Sequence, residues 1–288
     1  MTTENISLTE AYNYCRMVAL GHYENFPVGS LLIPRDLRKH FFALYAFMRA
    51  ADDFADLPDR EKEKRIELLA DWWKQLDESL SGVRVHNPVF IALCNTIAER
   101  KLPKEPFYRL LEAFEFDAKG NVHFRTFDEL RWYTSRSAEP VGELVLALFG
   151  YRDTTRIKLS NEICTALQLL NFIQDIREDT TNKRYYYPEE DWRIFNTTMK
   201  SGSINHDRLA LSSLFEVDRI ESLIDKGAPL AESVRGRLRY ELRAVIRSAR
   251  KMIAKIRKLD GNTYTKRPKL SKFDTIIILL QSLILKVY

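Results

Sequence analysis

The sequence predicts an all-α, single-domain protein of roughly ten helices spanning residues 1–288. Three observations lead there. Apolar residues recur with a helical period over most of the chain. No alternating strand pattern runs longer than Tyr185-Tyr186-Tyr187. Gly and Pro number ten each among 288 residues, too few for long linkers or an all-β architecture. With 45% hydrophobic and 11% aromatic residues, the chain can bury a sizeable core.

Ser7 and Glu10 have the spacing of a capping box and open the first helix. The second runs from about Pro34 to Asp56, bounded by Pro34 and Pro58. Further helices are expected near 59–80 and 88–101, and after Pro103 and Pro106. Thr126 and Glu129 cap the helix of "FDELRWYTSRS". After Gly150 a long helix covers "RIKLSNEICTALQLLNFIQDIRED". Late in the chain Leu238, Leu242, Val245, Ala249, Met252 and Ile256 form an apolar stripe, with Arg and Lys on the other face. The C-terminal "TIIILLQSLIL" is interrupted by Gln281 and Ser282 and is too short to span a bilayer. It is read as a core helix. No internal repeat or low-complexity segment stands out.

Cys15, Cys94 and Cys164 are far apart and odd in number, so neither a disulfide framework nor a zinc site is indicated. A reducing, cytoplasmic location follows. The N-terminal segment lacks a signal-peptide pattern. The net charge of +5 conceals an asymmetry: Arg235–Lys272 holds 14 Lys/Arg against Glu241 and Asp260, leaving −7 for the rest. A solvated helix face is the simplest explanation. A surface meeting anionic lipid at the cytoplasmic membrane face is the sharper one. Nucleic acid is disfavoured, because no groove-reading motif accompanies the charge.

Two carboxylate clusters carry the chemistry. In "ADDFAD", Asp52 and Asp56 are four apart and project from one helix face about 6 Å apart along the axis, while Asp53 points elsewhere. In "NFIQDIREDTTNKRYYYP", Asp175 and Asp179 repeat the spacing, with Asn171 and Gln168 on preceding turns. Each pair lies at the C-terminal end of an apolar helix, where the macrodipole disfavours negative charge. One such pair alone is best explained as a salt-bridged, solvated helix end. Two pairs, each preceded by polar residues, favour a Mg²⁺ site of hard oxygen ligands that bridges to substrate phosphate. Lys183 and Arg184 follow the second pair and Arg49 precedes the first by three residues, suited to neutralising a diphosphate.

The stretches "ALYAFMRAADDFAD" and "LQLLNFIQDIRED…KRYYYPEED" resemble the first and second aspartate motifs of the squalene/phytoene synthase family, and "WYTSRSAEPVGELVLALFG" resembles the segment between them. The resemblance covers about residues 10–260, with the motifs in the family's order and roughly 120 residues apart. It implies the all-α isoprenoid-synthase fold around a deep apolar cavity. It further implies that Asp52, Asp56, Asp175 and Asp179 bind Mg²⁺ and diphosphate, assisted by Arg49, Gln168, Asn171 and Arg184. Tyr45 and Tyr133 match tyrosines that line the cavity and act on a carbocation through ring or hydroxyl; core packing is the competing explanation for both.

Within the family, "HYENFPVGSLLIP", "RSAEPVGELVLALFG" and "DKGAPL" look most like the hydroxysqualene synthase branch of bacterial hopanoid biosynthesis. Condensing members usually have Arg just before the second motif, where this chain has Gln174, and V-A-G-x-V-G where it has Ser137–Gly142. A late Tyr of theirs falls at Ala249. The branch resemblance has its own departures at Glu139, Ile173 and Lys183. The expectation is a lyase-type enzyme: Mg²⁺-dependent ionisation of presqualene diphosphate, rearrangement, and water capture to hydroxysqualene. No NADPH is expected, and the partners are a prenyl diphosphate lipid and, peripherally, the membrane surface. The rivals are a head-to-head prenyl transferase making presqualene diphosphate, dehydrosqualene or phytoene, and a non-catalytic scaffold of the same fold. Retention of all four aspartates counts against the scaffold.

Overall fold

The structure is a computed structural model that describes residues 6–21, 33–56, 61–120, 122–197 and 204–287. Among them are thirteen α-helices: α1 (Leu8–Gly21), α2 (Arg35–Asp56), α3 (Lys62–Leu80), α4 (Pro88–Arg100), α5 (Glu105–Lys119), α6 (Phe127–Ser137), α7 (Glu139–Leu148), α8 (Thr154–Thr181), α9 (Glu189–Ile194), α10 (His206–Gly227), α11 (Pro229–Ser233), α12 (Arg237–Lys258) and α13 (Lys272–Ile284). The excess over ten comes mainly from α9 and α11, of six and five residues, too short to show a period. Tyr185 makes a single isolated bridge with His123. The expected caps form: Ser7 and Glu10 bond reciprocally, and Thr126 accepts from the Glu129 N–H.

The helices group into two compact units, Met1–Gly120 with Glu143–Arg152, and Asn121–Gly142 with Asp153–Tyr288. In the first, α2 is the central element. Its Phe47 is fully buried among Trp72 of α3, Phe90 of α4 and Phe107 of α5, with ring centroids 5.5–6.0 Å away. Such aromatic contacts add specificity to the large area they bury. His40, also buried, places Nδ1 3.0 Å from Thr96 Oγ1, tying α2 to α4. The helix therefore has a fixed rotation, and its C-terminal carboxylates a fixed direction.

In the second unit, α8 packs along α10. The close approach needs Gly227: a Cβ there would lie 2.8 Å from the Leu159 carbonyl oxygen and 2.5 Å from Ile163 Cγ1. Glu139 of α7 is buried between Thr165 of α8, which donates to it at 3.0 Å, and Arg131 of α6 at 3.3 Å. A buried carboxylate held this way is compensated rather than costly.

Two sequence expectations need correction. On α12 Leu238, Ala249, Met252 and Ile256 are buried as expected, but Leu242 and Val245 are half-buried while Ile246 and Ile253 are buried. The helix is covered on more than one side, so its inward surface exceeds one stripe. The core reading of "TIIILLQSLIL" also fails. The stretch is helical, yet Ile276, Leu280, Leu283 and Ile284 are exposed.

Gly227→Ala is expected to destabilise by about 1–2 kcal/mol, because overpacking against the Leu159 carbonyl outweighs the ~1 kcal/mol gain in helix propensity. A lower urea midpoint checks this; an unchanged one would show that α10 retreats without cost. On α12, burial pushes the Glu241 carboxyl up to about 7. The folded state keeps this proton while the unfolded chain loses it above the ordinary carboxylate range. The contribution is therefore complete at acid pH and lost as pH rises through about 7. Urea midpoints should fall between pH 5 and pH 8 by an amount on the order of 1–3 kcal/mol, and Glu241→Gln should flatten the profile. Parallel profiles would overturn this.

Candidate active site at two helix ends

The first candidate half lies on the last two turns of α2. The apolar run before it is deeply buried, with Ala43, Leu44, Ala46, Phe47, Ala51 and Ala55 in the core. Asp52 and Asp53 are half-buried and Asp56 is exposed. Arg49 reaches both of its neighbours one turn on: Nη1 is 3.1 Å from Asp52 Oδ2 and Nη2 is 2.5 Å from Asp53 Oδ1. Asp53 therefore does not point elsewhere; it shares the guanidinium that was expected to face phosphate. Arg65 Nη1 donates to the Ala55 carbonyl at 3.2 Å, satisfying an end-of-helix acceptor.

Tyr45 sits two turns before Asp52 on the same face and is 7% exposed. Burial raises its phenol pKa; Arg49 opposes this, and Asp52 and Asp53 reinforce it. The hydroxyl stays protonated at neutral pH, able to donate a hydrogen bond or present a neutral ring.

The second candidate half lies at the end of α8. Leu169, Leu170, Phe172, Ile173 and Ile176 face the core, while Asn171 is exposed and Gln168, Asp175 and Asp179 are half-buried. The helix closes through Asn182, whose N–H bonds to the Glu178 and Thr180 carbonyls. Lys183 then takes a left-handed φ of 58°, a conformation that favours glycine. The turn brings the Arg184 N–H to the Asp179 carbonyl at 2.8 Å. The chain leaves with Tyr186 stacked on Phe172, centroids 3.8 Å apart and planes 4° apart. Tyr133, 3% exposed, packs within 6.3 Å of Phe124, Phe172 and Tyr186. Its ring is a full member of an aromatic cluster behind the α8 carboxylates.

One participant escaped the sequence reading. The α12–α13 connection folds beside α8, where Arg267 Nε lies 2.5 Å from Asp175 Oδ1 and Gln174 Nε2 donates to the Pro268 carbonyl at 3.1 Å. Gln174, Asp175, Thr181, Thr263, Tyr264 and Arg267 help line a surface depression of ≈ 490 Å³. The signal in the sequence is "KRPK" at 266–269, which by itself conveys only positive charge.

Each helix end, taken by itself, presents hard oxygen donors with a guanidinium against them. Asp175 Oδ1 is buried and, although near Arg267, makes no aligned hydrogen bond. That state suits a metal-binding oxygen. Among the described residues no three His, Cys, Asp or Glu side chains form a metal-binding cluster. Mg²⁺ does not require one, since it binds through one or two carboxylates together with water and substrate phosphate. The donor set therefore fits Mg²⁺ bound with a phosphate ligand rather than in an all-protein cage.

The family model described as squalene/phytoene synthase matches residues 20–274. The phytoene synthase of Arthrospira platensis is 30% identical over 203 residues, 66% of this chain and 65% of that protein. The hydroxysqualene synthase of Rhodopseudomonas palustris is 31% identical over 215 residues, 74% of this chain and 72% of that protein. Among solved structures, squalene synthase HpnC from Alicyclobacillus acidocaldarius superposes with a TM-score of 0.81 at 36% identity, covering 90% of this chain and 98% of that one. The all-helical fold is that of the isoprenoid synthases.

Removing Arg49 takes away the guanidinium that Asp52 and Asp53 share at a helix C-terminus. Arg49→Gln should cost about 1 kcal/mol without metal, given the exposure of the pair. Millimolar Mg²⁺ should reduce the difference. Thermal melts with and without Mg²⁺ check this; a deficit indifferent to Mg²⁺ would show that the cation does not reach these carboxylates.

Proposed function

The chain belongs to the squalene/phytoene synthase family, whose enzymes act on prenyl diphosphates, and within it we propose that it is a hydroxysqualene synthase. The substrate would be presqualene diphosphate and the products hydroxysqualene and diphosphate. The observation that carries the choice is Gln174. Where condensing relatives place an Arg, this chain has a neutral amide, already engaged by the Pro268 carbonyl. The helix itself thus contributes no cation at this position, the guanidinium beside Asp175 coming from Arg267 of the α12–α13 connection, and one diphosphate needs fewer cations than the two that a condensation brings together. The similarity to the Rhodopseudomonas palustris enzyme and to HpnC supports the same reading.

In this reading Asp52, Asp56, Asp175 and Asp179 would hold Mg²⁺, and Gln168 and Asn171 would orient the diphosphate by hydrogen bonds. Bound Mg²⁺ would supply charge neutralisation at the departing diphosphate. When their carboxylates are otherwise engaged, Arg49 and Arg267 can turn to the leaving group, with Arg184 alongside. Preplaced cations favour ionisation because the charge they meet develops in the transition state. The cyclopropylcarbinyl cation then rearranges among apolar side chains that exclude most water. Tyr45 offers a neutral ring and hydroxyl near the first pair, while the aromatic cluster containing Tyr133 offers ring faces to positive charge. One water adds to the allylic cation and passes its proton to the released diphosphate, giving the alcohol. No hydride donor is required. The lipid substrate would be collected by peripheral contact with the cytoplasmic face of the membrane.

Product analysis tests this. Protein with Mg²⁺ and without NADPH is given presqualene diphosphate or farnesyl diphosphate, and the extracted lipids are identified by mass spectrometry. The expected result is hydroxysqualene from the first and no turnover of the second. Consumption of farnesyl diphosphate would assign the chain to the condensing transferases. Asp52→Asn and Asp175→Asn are each expected to lower turnover at least about 100-fold with thermal stability retained; activity near wild type in either would remove that aspartate from the site.

A further inference from the structure

Helix α13 is built with its polarity reversed. Its buried positions, Asp274, Ile278 and Ser282, follow one another at four-residue steps. Two of these three inward residues are polar. The opposite side carries Phe273, Ile276, Leu280, Leu283 and Ile284, which are 55–79% exposed. At about 100° per residue these five fall within an arc of about 100°, one continuous apolar stripe facing outward. A helix stabilised by its hydrophobic face would be turned the other way.

Polar contacts hold it in this orientation, and α12 provides them. Lys255 and Lys251 pair with Asp274 at 2.7 and 3.3 Å. Arg243 donates to the Ser282 carbonyl at 3.4 Å, Arg247 to the Leu285 and Lys286 carbonyls at 3.2 and 2.5 Å, and Arg250 to the Val287 carbonyl. Arg257 is paired with Asp218 and Glu221 of α10. Much of the basic face of α12, which the sequence offered as a lipid-facing surface, is thus engaged by partners within the same chain. The cations around α13 are placed differently: Lys266, Lys269, Lys272 and Lys286 are exposed. From Gly261 onward five Lys/Arg face Asp274 as the single acidic side chain.

We propose that α13 is a membrane-docking helix that lies in the plane of an anionic bilayer, its outward apolar stripe inserted below the headgroups and its flanking lysines on lipid phosphates. Its 13 residues give a length of about 20 Å, too short to span but ample to lie flat. The charge selects the occupant. A second copy would bring another +4 segment against this one, whereas an anionic surface neutralises it. The inference deepens the peripheral membrane contact proposed above and identifies the inserted element. Vesicle binding is read without substrate, so its failure and the failure of the catalytic reading are separable.

The test is co-sedimentation of the full chain with phosphatidylcholine vesicles and with vesicles containing phosphatidylglycerol. Wild-type protein is expected on the anionic vesicles. The triple variant Ile276→Ser, Leu280→Ser, Leu283→Ser should bind at least about tenfold more weakly, with its thermal midpoint retained because these side chains face outward. Replacing Lys266, Lys269 and Lys272 with Gln should weaken binding and reduce its salt dependence. As a second readout, tryptophan emission added by Leu280→Trp should be quenched by brominated lipid. Absence of wild-type binding, equal binding by the triple variant, or no quenching would overturn the proposal. So would a wild-type dimer that the triple variant turns into monomer in sedimentation velocity, which would assign the stripe to a second copy.

Discussion

Negative charge at the wrong end of a helix is the constraint on which the rest depends. α2 and α8 each end in carboxylates, where unsatisfied carbonyls already make the local potential negative. The structure tolerates this by bringing a guanidinium to each: Arg49 from within α2, and Arg267 from a connection more than 80 residues beyond α8. Neither pair is deeply buried, so the guanidinium contributes modestly to stability. Its larger consequence is that the carboxylates it contacts are held in one direction. The aromatic packing of Phe47 behind one pair, and the Phe172–Tyr186 stack behind the other, fix where they point.

Most of the helical frame was legible because its signals are local. The Ser7–Glu10 box, the Thr126 cap and the prolines near helix starts act through residues a few positions apart, and each helix began close to where those residues placed it. The aspartate pairs were legible for the same reason, since four-residue spacing defines one helix face. Arg267 was not. Its partner lies 92 positions away, and nothing near "KRPK" distinguishes a lysine facing solvent from an arginine folded onto α8. Asp53 was misjudged because helical geometry gives the direction of Cβ, not the reach of a long side chain such as Arg49.

α13 shows a limit of a different kind. Hydrophobic periodicity reports that a helix has an apolar face, but not which way the face turns. Here the orientation is decided by α12, whose arginines and lysines bind the one carboxylate of α13 and carbonyls at and just beyond its C-terminal end. A basic segment that looked like a free surface is substantially a scaffold for its neighbours, and an apolar segment that looked like core is a surface. The same physics places both: cations go where acceptors are, and the apolar face is left turned outward.

The central proposal is that each aspartate pair is needed for binding Mg²⁺ together with diphosphate. The most direct measurement is the thermal stabilisation of the protein by Mg²⁺ with inorganic diphosphate, which at ligand near 100 times its dissociation constant amounts to about 2.7 kcal/mol. It would be read in the wild type, in Asp52→Asn/Asp56→Asn, and in Asp175→Asn/Asp179→Asn. The account predicts stabilisation of the wild type that requires both components together and is lost when either pair is neutralised. Stabilisation that survives the loss of one pair would contradict it, because that pair would then lie outside the diphosphate site.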